Sequence, residues 1–101
     1  MAKNFNSFGG GNMQQMMKQA QEAQKQIEKA KAELAETAIE ASAGGGMVTV
    51  EMSGAYELIN MKIKPEAVDP DDVEMLEDLV IAAVNEALSQ VSKLREETLP
   101  L

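Results

Sequence analysis

Apolar and small residues recur at Met13, Met16, Ala20, Ala23, Ile27, Ala30 and Leu34, in steps that alternate three and four. This spacing predicts a helix with a heptad seam, and the alanines in its middle allow another helix to approach closely. Asn12 can cap the first turn, with Gln15 three residues on as a weak capping box. Lys18–Glu22 and Lys29–Glu33 are spaced as i,i+4 pairs. Thr37 brings a polar residue to the seam, so the helix is expected to end near Glu36. Residues 1–11 are aperiodic and rich in Gly and Asn. They read as a flexible arm ahead of a single domain at 12–101, with Phe5 and Phe8 as docking points if the arm settles on the body.

The period then shortens. Thr37, Ile39 and Ala41 alternate with Ala38, Glu40 and Ser42, as in a short strand, and a continued helix fits the same residues. Both readings stand for residues 37–43. Gly44, Gly45 and Gly46 break either one and permit a tight reversal. From Met47 to Ser53 the alternation is cleaner, with Val48, Val50 and Met52 on one face and Thr49 and Glu51 on the other. Ser53-Gly54 signals a turn. A third strand runs from Tyr56 to Ile63, with Ile59, Met61 and Ile63 on one face, and Pro65 ends it. Asp69 is the expected N-cap of a last helix, with Pro70 in its first position and Asp71 and Asp72 favoured by the helix dipole. The predicted fold class is α+β: a helix, a three-stranded antiparallel meander and a helix (αβββα).

The last helix carries apolar residues on more than one face: Val73, Leu76, Leu79, Val80, Ala83, Val84, Ala87, Leu88, Val91 and Leu94. Such a helix must be covered on more than one side. A first helix from Met13 to Glu36 would be ~36 Å long, and strands of seven residues span only ~23 Å. One sheet cannot cover that helix. The overhanging seam and the doubly apolar last helix both predict a symmetric homodimer. Its candidate interface is Met16, Ala20, Ala23 and Ile27 on the seam with Leu79, Val80 and Val84 on the last helix.

Composition narrows the chemistry. The sequence has no Cys and no His, so disulfides, thiolate zinc sites and Ser-His or Cys-His triads are excluded. With the commonest general base and metal ligand missing, no catalytic residue, metal, cofactor or small-molecule substrate is expected. The acids at Glu66, Asp69, Asp71, Asp72, Glu74, Glu77 and Asp78 fit no calcium loop and crowd a helix start, where negative charge is structurally favoured. The glycine run lacks the frame of a phosphate loop and enters a strand. Neither a membrane span nor a signal peptide is evident, which predicts a cytoplasmic protein.

A net charge of −8 argues against a nucleic-acid partner until its placement is considered. Residues 1–31 hold five lysines and two acids, 5 − 2 = +3, whereas residues 32–101 hold four basic and fifteen acidic groups, 4 − 15 = −11. Lys18 and Lys25 share the helix face opposite the seam, Lys29 lies one turn beyond Lys25, and Lys31 flanks it. Gln14 and Gln21 add donors on an adjacent line. Such a stripe can track a phosphate backbone, although lysines on the outer face of a heptad helix are more often merely solvated.

Three stretches carry a family likeness. They are MMKQAQ from Met16 to Gln21, ASAGGGMVTVEMSGAYEL from Ala41 to Leu58, and KIKPEAVDPDDVEMLEDLVIAAVNEAL from Lys62 to Leu88. The chain resembles the YbaB/EbfC family of bacterial nucleoid-associated DNA-binding proteins over nearly all of its length beyond residue 12. The resemblance implies a tweezer-like homodimer with long helices projecting from a joined core. It also implies double-stranded DNA binding with little sequence specificity, and a place in the nucleoid where the protein organises DNA and modulates gene expression. Lys18 lies inside the matched helix motif. Relatives often continue into a Gly-, Met- and Pro-rich tail, whereas here Pro100 and Leu101 follow the last helix. The alternative function is a protein-interaction scaffold associated with recombination or replication factors, its DNA affinity incidental.

Overall fold

The computed structural model describes residues 2–99, with side chains from Asn12 onward. The Phe5 and Phe8 side chains, and Pro100 and Leu101 entirely, lie outside the described residues. Helix α1 spans Ala2–Glu36, strands β1, β2 and β3 span Ala38–Ala43, Val48–Ser53 and Leu58–Ile63, a 3-10 turn covers Pro65–Ala67, and helix α2 spans Val73–Thr98. The strands form one antiparallel sheet in the order β1-β2-β3. This is the αβββα arrangement expected from the sequence.

Several boundaries differ from expectation, among them those of β2 and β3, which begin at Val48 and Leu58 and not at Met47 and Tyr56. Helix α1 begins at Ala2, not Asn12, and Gly9–Gly11 lie within it. Once a helix is nucleated each further residue adds one hydrogen bond, so a long helix can carry weak formers near its end. Residues 38–43 are strand, which settles the choice left open there. The Thr37 hydroxyl donates to the Glu33 carbonyl at 2.8 Å and its N–H donates to the Leu34 carbonyl at 3.1 Å, closing the last turn of α1. The N-cap of α2 is Asp72, whose Oδ1 accepts from the Met75 N–H at 3.2 Å. Asp69 instead accepts from the Asp71 N–H at 3.0 Å, an Asx turn that feeds the chain into the cap.

The core lies between one face of the sheet and α2. Val48, Val50 and Met52 on β2 are buried, with Ala41 on β1 beside them. Ala83, Ala87 and Val91 lie four apart along one line of α2 and are fully buried against that face. Two alanines on this line let the helix sit close to the sheet, and each buried Val adds about 2 kcal/mol of apolar transfer. Gly44 is needed where β1 turns into β2. Its φ is +64°, and a Cβ there would come within 2.7 Å of Leu79 Cδ2. Leu79 thus closes the hairpin end of the core.

Helix α2 lies over β1 and β2. At the sheet edge, β3 contributes Met61 to the core and leaves Ile59 and Ile63 exposed. The register slips between Glu51 and Met52, so Met52 pairs with Leu58 and Ile59 is displaced from the regular alternation. The whole chain is elongated, measuring 82 × 21 × 16 Å.

Candidate nucleic-acid interface

That elongation comes from α1, which at 35 residues is about 52 Å long. Its seam meets the body only near its C-terminal end, where Leu34 is buried and Ile27 and Ala30 are half-buried. Met13, Met16, Ala20 and Ala23 are exposed, Met16 at 65%. Residues Asn12–Gln26 therefore form a free helical arm about 22 Å long.

The arm presents the candidate site. Gln14, Lys18, Gln21, Lys25, Lys29 and Lys31 are all exposed. At about 100° per residue, Lys18, Lys25 and Lys29 fall within roughly 40° of one another, opposite the seam. Gln14 and Gln21 lie on the line beside them. Lys31 does not join this stripe: two residues past Lys29, it turns about 200° away and borders the seam. The sequence expectation that Lys31 flanks Lys29 holds along the chain and fails around the helix. Steps of about 10 and 6 Å separate Lys18, Lys25 and Lys29 along the axis.

The candidate dimer residues divide into three groups. Met16, Ala20 and Ala23 stand uncovered on the arm, and Ile27 is half-covered at its base. Leu79 and Val84 pack against the chain's own core. Val80 touches that core and also lines a cleft of about 400 Å³ with Ile63, Leu76, Glu77 and Ile81. Ile63 and Ile81, which the sequence did not single out as candidates, line this exposed apolar cleft, and Ile81 is 57% exposed. The signal for Ile81 was present in the unbroken run from Leu79 to Val84. Ile63 required the knowledge that α2 leaves β3 uncovered.

Arg95 lies in the last turn of α2. It is half-buried, and its Nη1 donates to the Gly54 carbonyl at 2.8 Å. Its guanidinium lies 5.3 Å from the centroid of the Tyr56 ring. Around it, the buried Ser53 shapes the β2–β3 turn: its Oγ accepts from the N–H groups of Ala55 and Glu57 at 3.1 and 3.2 Å. Among the described residues no group of three or more acids is placed to hold a metal ion. No described helix is long and apolar enough to cross a membrane.

An α+β body bearing a cationic helical arm is a scaffold suited to binding an extended polyanion. Comparison with known proteins assigns it further. The profile of the YbaB/EbfC DNA-binding family matches residues 9–100. A nucleoid-associated protein of Alkaliphilus metalliredigens is 59% identical over 87 residues, covering 85% of this chain and 76% of the relative. One from Clostridium acetobutylicum is 52% identical over 99 residues, covering 97% and 86% respectively. An uncharacterized protein of Helicobacter pylori shares the fold, with a TM-score of 0.75 at 23% identity over 83% of this chain and 88% of that one. The chain belongs to the YbaB/EbfC DNA-binding family.

Proposed function

We propose that this protein binds double-stranded DNA as a homodimer with little sequence specificity, using the lysine stripe of α1, and so helps organise the nucleoid and modulate gene expression. The observation that carries this reading is the exposed stripe of Lys18, Lys25 and Lys29 on an arm that projects clear of an acidic body. Lysines held along a rigid helix neutralise phosphates without reading bases. Relatives called nucleoid-associated proteins support a place in the nucleoid. The role is one of binding, not catalysis.

A second copy covers the apolar cleft of Ile63, Leu76, Val80 and Ile81. Pairing there brings two arms to one body and doubles the stripe. Light scattering at micromolar concentration is expected to return a dimer mass, and Ile81→Asp a monomer mass with helicity retained.

Titration of several unrelated duplexes at 50 and 200 mM salt tests the function. Six lysines on phosphates give a log–log salt slope of about −5, hence a loss of about a thousandfold in affinity between those salts. Affinities should agree among the duplexes. Salt-independent binding, or binding to one duplex alone, would contradict the reading and favour a scaffold that grips protein partners.

A further inference from the structure

Gly54 is where the arm, the sheet and α2 meet. Its Cα lies so close to the Leu34 carbonyl that a Cβ would collide with that backbone oxygen. Its N–H donates to the Thr37 carbonyl at 2.9 Å, just past the end of α1. Its own carbonyl accepts from Arg95 Nη1 at 2.8 Å. The two peptide units that flank Gly54 are thus tied to different elements, one to the residue that follows α1 and the other to the last turn of α2.

Arg95 is suited to this role. The guanidinium lies over the Tyr56 ring, 5.3 Å from its centroid, while its Nη1 donates to the carbonyl. A hydrogen bond from a charged donor in a half-buried site is stronger than a neutral one. Tyr56 itself is held at φ 64°, a left-handed conformation unusual for an aromatic residue, in a turn stabilised by Ser53. The turn thereby places the ring where the guanidinium can cover it.

We infer that Arg95 is a positioning residue for DNA binding: through Gly54 it fixes the angle at which the lysine-bearing arm leaves the body. It is not a phosphate contact. The arm meets the body over only its last turns, so small freedom at Gly54 becomes large displacement at Lys18. This inference rests on the arm being the DNA contact, and its test separates the two.

The chain has no Cys, so Gln24→Cys on the arm and Ser42→Cys on β1 give two unique sites for spin labels. Diluting labelled with unlabelled protein isolates the distance within one protomer. The parent should give a narrow distribution. R95Q should broaden or shift it, and Tyr56→Asn, which tolerates the left-handed backbone but removes the ring, should do so to a lesser degree. If the competent arm population falls to about a tenth, affinity for random duplex falls about tenfold, with the salt slope unchanged. A parent-like distribution in R95Q overturns the inference. So does a salt slope reduced by about 0.9 per Arg95 lost, which would make Arg95 a phosphate contact. Should R95Q fail to fold, the Tyr56→Asn distribution decides alone, and a parent-like width overturns the inference. If K18A/K25A binds DNA as the parent does, the arm reading falls, and the distance distribution still decides whether Arg95 sets the arm.

Discussion

The arm and the body use helix in opposite ways. In α2, apolar residues recur so densely that one line, Ala83, Ala87 and Val91, is buried and a second, Ile81 and Leu88, remains exposed. In α1 the seam is sparser, and only its end at Leu34 is buried. Helix α2 is held by tertiary contact along much of its length. The arm must stand largely on its own hydrogen bonds and on residues such as Gln, Glu, Lys and Ala, which are good helix formers. Charge follows the same division: α1 holds five lysines and four acids, 5 − 4 = +1, and residues 37–101 hold four basic and thirteen acidic groups, 4 − 13 = −9. A molecule divided in this way can change its arm without unfolding and cannot change the buried face of its body without doing so.

That contrast can be broken or sharpened by substitution. The largest effect is expected in the body. Leu79→Asp places a charge beside Gly44 and the core, at a cost of about 3 kcal/mol or more, and chemical denaturation should find the variant largely unfolded. A folded dimer would mean that α2 is wrongly placed. Gly54→Ala is expected to cost about 2 kcal/mol, because its methyl group must displace the Leu34 carbonyl. Its denaturation midpoint should fall accordingly, and an unchanged midpoint would show that the arm root moves freely. At the other extreme, EDTA should leave DNA binding unaltered in a filter or fluorescence assay. Binding lost in chelator and restored by a divalent ion would count against a purely cationic arm.

Much of the fold was legible because its signals are local. The end of α1 at Glu36 followed from the polar Thr37, and β2 followed from alternation. The start of α2 was misplaced by three residues because two aspartates there do different work: Asp69 makes an Asx turn and Asp72 caps. Pro70 suits the first position of a helix, and here it lies in the turn between the 3-10 segment and α2. Of the candidate site, the stripe of Lys18, Lys25 and Lys29 could be read from helical angle, which also sets Lys31 apart. Arg95 could not be read. Its partner is 41 residues away in sequence, and the reason for a glycine at 54 is a backbone oxygen brought there by the fold.

The central claim is that the arm contacts DNA without supporting the fold. Lys18 and Lys25 are both exposed, and exposed changes of this kind usually alter stability by only about 0.5 kcal/mol. The most direct measurement compares K18A/K25A with the parent, reading duplex affinity across a salt series and melting temperature on the same preparations. The double variant should bind every duplex more weakly and lose about 0.9 of salt slope for each phosphate contact removed, while melting temperature and dimer mass stay nearly constant. Parent-like affinity with a parent-like slope would contradict the account and move the DNA contact off helix α1.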